Sequence, residues 1–513
     1  MGINFNNYCI KDYYSDIDKL GLKKVWDEII NFNLSNKNIP EIISVHNFSE
    51  LYEYGLAYIN KEEKKEMGKY YTPEDVSSLL SSFFKDLYGE KICDVACGTG
   101  RLILSYLDLI GEKKAKELLN AGKVYLYDID ELALNICKYS IGIKYGLDSI
   151  KKLHTICDDF LNFELHLPKN CKVISNPPYA KFKQYQLRWE VTDVMKYTKE
   201  LYSCFIEKIV KESSSSVIIS PFSFISSDKF YYLRRVLNNY NGFIFSFDNI
   251  PACIFNGRKK GIFNSNVSNS TRAAIMVTEN KRNKFGYRVS PLIRFRAEDR
   301  EKILNKKYLM SLVGSDYQVV YSDNKSYYKC FKELEDIKNN WFSNSKLRLE
   351  DLISEEKTKY SICIPNSCRY YTVGSSFELD RTGKYTYYVK DKETFDFVYC
   401  YMNSSLPYLY WRMYDGGVLY PQNLLLKNPI FLDKFSKEDL KKLSNLSDGM
   451  REVEKDCIVK KLNAGKEQEN IKFPISYREE INRLFLKVLN CKDDNSVLRI
   501  IHQNSMFGII EED

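Results

Sequence analysis

The sequence predicts an α/β protein: an open, doubly wound, mostly parallel sheet, preceded by a helical segment and followed by a second α+β region. Three observations predict it. Lys91-Ile92-Cys93 is a short apolar run of strand type, Gly98 and Gly100 supply a tight turn, and Leu102-Ile103-Leu104 opens a helix. Such a strand, glycine loop and helix let an open sheet bring backbone close to a nucleotide-like ligand. Further apolar runs then recur at strand length: Val124-Tyr125-Leu126-Tyr127, Val173-Ile174-Ser175, Val217-Ile218-Ile219-Ser220, Phe243-Ile244-Phe245-Ser246-Phe247 and Ala273-Ala274-Ile275-Met276-Val277. Finally, Asn176-Pro177-Pro178-Tyr179 closes one of these runs, 82 residues after Asp94.

In chain order, residues 1–66 read as helical, with Ser15 or Asp16 as N-cap and amphipathic spacing through Leu20, Trp26, Ile29 and Ile30. The loop Asp94-Val95-Ala96-Cys97-Gly98-Thr99-Gly100 is neither G-x-G-x-x-G nor followed by G-K-[ST], so it suits a ligand without a pyrophosphate. S-adenosylmethionine is such a ligand. The turn at Asn176 carries more specific chemistry. An amine conjugated to an aromatic ring is a poor nucleophile, and an Asn oxygen with a neighbouring backbone carbonyl can accept from its NH2 and free the lone pair. Two prolines remove backbone donors, so the turn presents carbonyls, and Tyr179 offers a flat face to a base. Leu201 to Lys211 reads as an amphipathic helix, and the serines from Ser213 to Ser216 as the turn leading to the next strand.

These motifs resemble, in order, the gamma-class adenine-N6 DNA methyltransferases of bacterial restriction-modification and related solitary systems. Gly68-Lys69-Tyr70-Tyr71-Thr72-Pro73 matches the family's opening motif, so Tyr71 and Thr72 are expected to close over the methionine end of the cofactor. Asp94 to Gly100, with Ala96, Gly98 and Gly100, matches the cofactor loop, Asp94 being expected near the methionine ammonium. The resemblance places Asp128 on the ribose hydroxyls, and Asp159 and Phe160 on the cofactor's adenine. Tyr127 departs from the small residue the family often has there. It also implies that Asn176 and Pro177, with Pro178 and Tyr179, form the catalytic turn, and that Phe255 stacks on the flipped base opposite Tyr179. The implied fold is a Rossmann-like S-adenosylmethionine-dependent domain over residues 67–285. Tyr360-Ser361-Ile362-Cys363-Ile364, Tyr385-Thr386-Tyr387-Tyr388-Val389 and the stretch from Tyr401 through Gly416-Gly417 to Asn423 resemble the target-recognition domains of type I specificity subunits. This assigns 286–435 to target recognition and 436–513 to a helical tail starting at Ser436.

Composition and charge agree with a double-stranded DNA partner. Between Pro251 and Lys307 fourteen Lys or Arg residues stand against four acidic ones, and Arg258, Lys259 and Lys260 are expected to contact phosphate. Fourteen cysteines with no C-x-x-C pair, and four histidines, indicate neither a metal site nor a disulfide framework. No run of 18 apolar residues and no signal-peptide profile is present, so no membrane partner is expected and the location is expected to be cytoplasmic. Residues 1–66 are too few for a fused nuclease, so the chain is expected to be a lone methylase or one half of a system whose restriction endonuclease is separately encoded. Three alternatives stay open on sequence: cytosine N4 as target, another amine such as an RNA base or a protein glutamine, and a non-catalytic DNA-specificity protein.

Overall fold

A computed structural model describes residues 72–255, 271–279, 284–322, 325–463, 465–491 and 495–506. The chain divides into two compact units between Tyr327 and Tyr328. The expected helical segment at 1–66 lies outside the described residues.

The first unit is built on eight strands: β1 Lys91–Val95, β2 Val124–Asp128, β3 His154–Cys157, β4 Cys171–Ser175, β5 Ser215–Pro221, β6 Asn241–Phe247, β7 Ala273–Glu279 and β8 Gly286–Ile293. Their spatial order is β3-β2-β1-β4-β5-β7-β6-β8. The pairings β1–β2, β2–β3, β1–β4, β4–β5 and β6–β8 are parallel, while β7 is antiparallel to both β5 and β6. The order reverses between β1 and β4, the switch point where an open sheet of this kind leaves a crevice at its carboxyl ends. The loops leaving β1 and β4 are the glycine loop and the Asn176 turn.

The central strands β1, β4 and β5 are buried along almost their whole length, as expected where both faces of a sheet are covered. Helices α1 Glu74–Lys85 and α2 Arg101–Ile110 pack together, and Phe83, Phe84, Leu104 and Leu107 are buried. Elsewhere in this unit, α3 Leu201–Glu212 contributes Tyr202, Phe205, Ile206 and Ile209 to a core shared with Val173, Ile218 and Met276. At about 25 cal/mol per Å² of apolar surface removed from water, such side chains contribute most of the drive for folding.

The boundary expected at residue 285 is corrected. β8 belongs to the sheet of the first unit, paired in parallel with β6 through Asn241↔Gly286 to Ile244↔Val289. Ser215 and Ser216 also lie in β5, buried and bonded in register to Lys172 and Val173 of β4, so only Ser213 and Ser214 form the turn.

In the second unit, the antiparallel pair Tyr360–Pro365 and Lys384–Val389 falls where strands are expected. The 401–423 stretch is largely helical, within Lys392–Asn403, Leu406–Tyr414 and Gln422–Leu426. Ser436 caps the helix Lys437–Val453 by accepting from the Asp439 amide at 3.1 Å. The tail is not all helical, because Ile458–Asn463 and Lys466–Ile471 form a hairpin. Its strands are rich in Lys, Glu and Asn and show no alternation of apolar residues, which hides them from pattern reading. No helix among the described residues is long and apolar enough to cross a membrane.

Candidate active site

The loop after β1 is shaped by its backbone. Ala96, Gly98 and Gly100 take positive φ of 61°, 52° and 91°. A Cβ on Gly100 would stand 2.4 Å from Cys137 Sγ, so only glycine fits between the loop and the helix Glu131–Tyr145. Asp128, at the end of β2, holds the loop: its Oδ2 accepts the Gly98 amide at 2.7 Å and its Oδ1 the Asp130 amide at 2.9 Å. Asp130 caps the following helix through Ala133 N at 3.2 Å.

Asp94 is fully buried, and neither carboxylate oxygen has a partner in hydrogen-bond geometry among the described residues. Burial, and after it the charge of Asp128, pushes its pKa well above the usual carboxylate range, with the Ile103 backbone amide opposing. A buried carboxylate in this condition fits a cationic ligand group.

Across the switch point, Asp94 pairs in register with Ile174, two positions before Asn176. Asn176 Nδ2 donates to Thr72 Oγ1 at 2.9 Å, which brings the opening motif onto the Asn-Pro-Pro turn. Pro177 is buried, and Pro178 and Tyr179 are half-buried. The Tyr179 hydroxyl donates to Ile219 O at 3.3 Å. The Tyr179 ring lies 5.9 Å from that of Phe255 at 66°, an edge contact rather than two parallel faces. A base stacked on both therefore requires one ring to turn.

Asp159 follows β3 with its carboxylate engaged: Leu161 N donates to Oδ1 at 3.0 Å and the Trp189 indole to Oδ2 at 2.7 Å. Phe160 is 3% exposed. It packs in the core against Tyr127 and Phe205, with the Lys208 ammonium 5.0 Å from its ring centre. Tyr127, the departure from the family pattern, thus fills space beside Phe160. Sequence reading missed Trp189 and Lys208, which belong to no motif. Lys208 donates to the carbonyls of Phe160, Asn162 and Leu165 at 2.8, 2.8 and 2.6 Å, tying that loop to α3.

The basic stretch is corrected in part. Tyr71, Arg258, Lys259 and Lys260 lie outside the described residues. Of the other cations counted there, Arg272 and Arg294 both pair with the fully buried Asp248, at 2.9 and 2.8 Å. Arg300 pairs with Asp75 at 2.6 Å, and Lys306 salt-bridges Asp86. Arg272, Arg294 and Arg300 are buried in these pairs and belong to the fold's interior, whereas the Lys306 pair lies at the surface. A count of charges cannot separate such residues from solvated ones, because burial depends on which acid the fold brings opposite.

Fold and site define an α/β protein in which a glycine loop over the buried carboxylates Asp94 and Asp128 and an Asn-Pro-Pro turn leave adjacent parallel strands at the sheet's switch point. The profile of the N-6 DNA Methylase family matches residues 43–345, more than half of the chain, and the chain belongs to that family. It is similar to a type I restriction enzyme MpnII methylase subunit from Mycoplasma pneumoniae, with 27% identity over 150 residues, 27% of this chain and 26% of the relative. A type I restriction enzyme MjaIX methylase subunit from Methanocaldococcus jannaschii is 30% identical over 135 residues, 26% of this chain and 22% of the relative. The matched segments thus span about a quarter of these curated relatives. Among solved structures, the DrdV-DNA complex aligns over 85% of this chain and 62% of that one, at 13% identity and a TM-score of 0.47.

Proposed function

We propose that this chain transfers a methyl group from S-adenosylmethionine to N6 of an adenine flipped out of double-stranded DNA. The observation that carries this reading is the register of β1 and β4, which sets the Asn176 turn beside the buried carboxylate of Asp94. Membership of the N-6 DNA methylase family supports it.

The residues fit the cofactor. Asp94 would take the methionine ammonium. A carboxylate has about four acceptor positions, so Asp128 can receive ribose hydroxyls while still holding Gly98 and Asp130. Ala96, Gly98 and Gly100 would lie along the ligand, Thr72 with Tyr71 would close over the methionine end, and Asp159 and Phe160 would border the adenine. Bound there, the sulfonium supplies a methyl group already activated for attack.

The chain's own work is to present the nucleophile. The bond from Nδ2 to Thr72 orients the Asn176 amide, making Oδ1 the atom that accepts from the incoming NH2, with the Pro177 carbonyl as second acceptor. Both bonds favour a tetrahedral nitrogen whose lone pair is withdrawn from the ring. Tyr179 and Phe255 would grip the base once it leaves the stack, and the remaining acceleration comes from proximity and orientation. Arg258, Lys259 and Lys260 are assigned to phosphate.

Target recognition is assigned to the second unit, from Tyr328 onward, and a separately encoded restriction endonuclease is the partner this arrangement implies. The curated relatives' names as type I methylase subunits are consistent with such a system.

Sequencing of modified bases in DNA from cells expressing the wild type or Asn176→Ala tests the reading. N6-methyladenine at a defined motif in the wild type alone is expected. Methylated cytosine, or no modification, would overturn it.

A further inference from the structure

Arg300 lies in the basic stretch that sequence reading gives to phosphate, yet its side chain is only 5% exposed. Its guanidinium makes four contacts on two sides. Nε and Nη2 grip the two oxygens of Asp75 at 2.6 and 3.0 Å, while Nη1 and Nη2 donate to the carbonyls of Cys253 and Ile254 at 3.0 and 2.7 Å. Both ends lead to the candidate site. Asp75 opens α1 three residues after Thr72, whose hydroxyl accepts from Asn176. Ile254 immediately precedes Phe255, whose ring touches Tyr179.

We infer that Arg300 is a positioning residue, clamping the Thr72 segment and the Phe255 segment into one assembly around the Asn176–Tyr179 turn. This inference rests on the assignment of that turn to methyl transfer. The physical basis is the planar fork, which can serve one carboxylate and two carbonyls at once. A lysine ammonium cannot match that geometry. The two walls are contributed by segments nearly 180 residues apart in sequence. The clamp lies behind both walls, out of the base's way, and keeps the Asn176 amide oriented while Phe255 turns to admit a base.

The test uses the full chain and the variants Arg300→Ala, Arg300→Lys and Asp75→Asn. Hydrogen exchange, measured without cofactor or DNA, follows the Ser77 amide, bonded to Pro73 O, and the Ala252 amide, bonded to Phe295 O. Both should exchange at least about tenfold faster in Arg300→Ala, while the Ile92 amide in the sheet keeps its rate. In methyl-transfer assays on genomic DNA, kcat should fall on the order of a hundredfold, and KM for S-adenosylmethionine should rise with it, because the loosened Thr72 segment also closes over the cofactor. Arg300→Lys should resemble Arg300→Ala. Loosening of one segment alone, exchange rising equally at Ile92, or recovery of kcat by lysine would overturn the clamp. If Arg300→Ala is insoluble, Arg300→Lys and Asp75→Asn decide the exchange test. A wild type that transfers no methyl group to DNA would sink the functional reading instead, and the exchange result would still decide whether the two segments are coupled through Arg300.

Discussion

Asn176 donates its side-chain amide to the Thr72 hydroxyl at 2.9 Å, across 104 residues of sequence. This bond joins the opening motif to the Asn-Pro-Pro turn and, on the proposed reading, sets which amide atom faces an amino group. Valine at position 72 keeps the shape but removes the acceptor. A buried donor left without its partner costs about 1–3 kcal/mol, so Thr72→Val should lower kcat about tenfold or more. An unchanged kcat in steady-state assays would show that the amide is oriented by something else.

Asn176→Ala removes the acceptor proposed to polarise the amine. Transfer should drop by about two to three orders of magnitude, as for loss of one preorganised hydrogen-bonding group at a reacting centre. Cofactor affinity, measured by calorimetry, should stay within a few-fold because the glycine loop is untouched. Near wild-type transfer by the variant would remove Asn176 from the mechanism.

Asp128→Ala should weaken S-adenosylmethionine binding by about 1–3 kcal/mol. The Gly98 amide also loses its 2.7 Å acceptor, so the loop should become less protected in hydrogen exchange. Unchanged affinity in a titration would move the ribose contact elsewhere.

Asp94 gives a pH signature. Burial first, and the charge of Asp128 second, raise its pKa in the folded chain. A carboxylate raised in this way holds its proton more tightly folded than unfolded. Its contribution therefore favours the fold below the unfolded pKa and is lost as pH rises through the folded one. Asp94→Asn removes the uncompensated charge, so the ligand-free thermal midpoint at neutral pH should rise and the gap to the wild type should close on acidification. Cofactor binding should weaken in the same variant. A midpoint below that of the wild type at neutral pH would mean that the charge is compensated before any ligand arrives.

Asp248 is the shared partner of Arg272 and Arg294, all three within the interior. Breaking such a pair strands buried charge and costs about 3–5 kcal/mol, so Asp248→Ala should lose at least that much in denaturant unfolding. A loss below about 1 kcal/mol would mean that water reaches the two guanidinium groups.

What sequence alone could determine was local. Strand-length apolar runs marked β2, β4, β5, β6 and β7 to within a few residues, because period and residue type are set by the chain's own geometry. Gly98 and Gly100 announced a turn that needs positive φ, and Asn176-Pro177-Pro178-Tyr179 announced the exit from β4. Tertiary structure alone decided which charges face solvent and which hold the fold: Arg272, Arg294 and Arg300 look like any other basic residues until Asp248 and Asp75 are placed against them. It also decided that β8 completes the first sheet, that a charged hairpin interrupts the helical tail, and that Trp189 shares the Asp159 carboxylate. Spacing and side-chain type are written along the chain, whereas burial, pairing and register arise only when distant segments meet and water is removed between them.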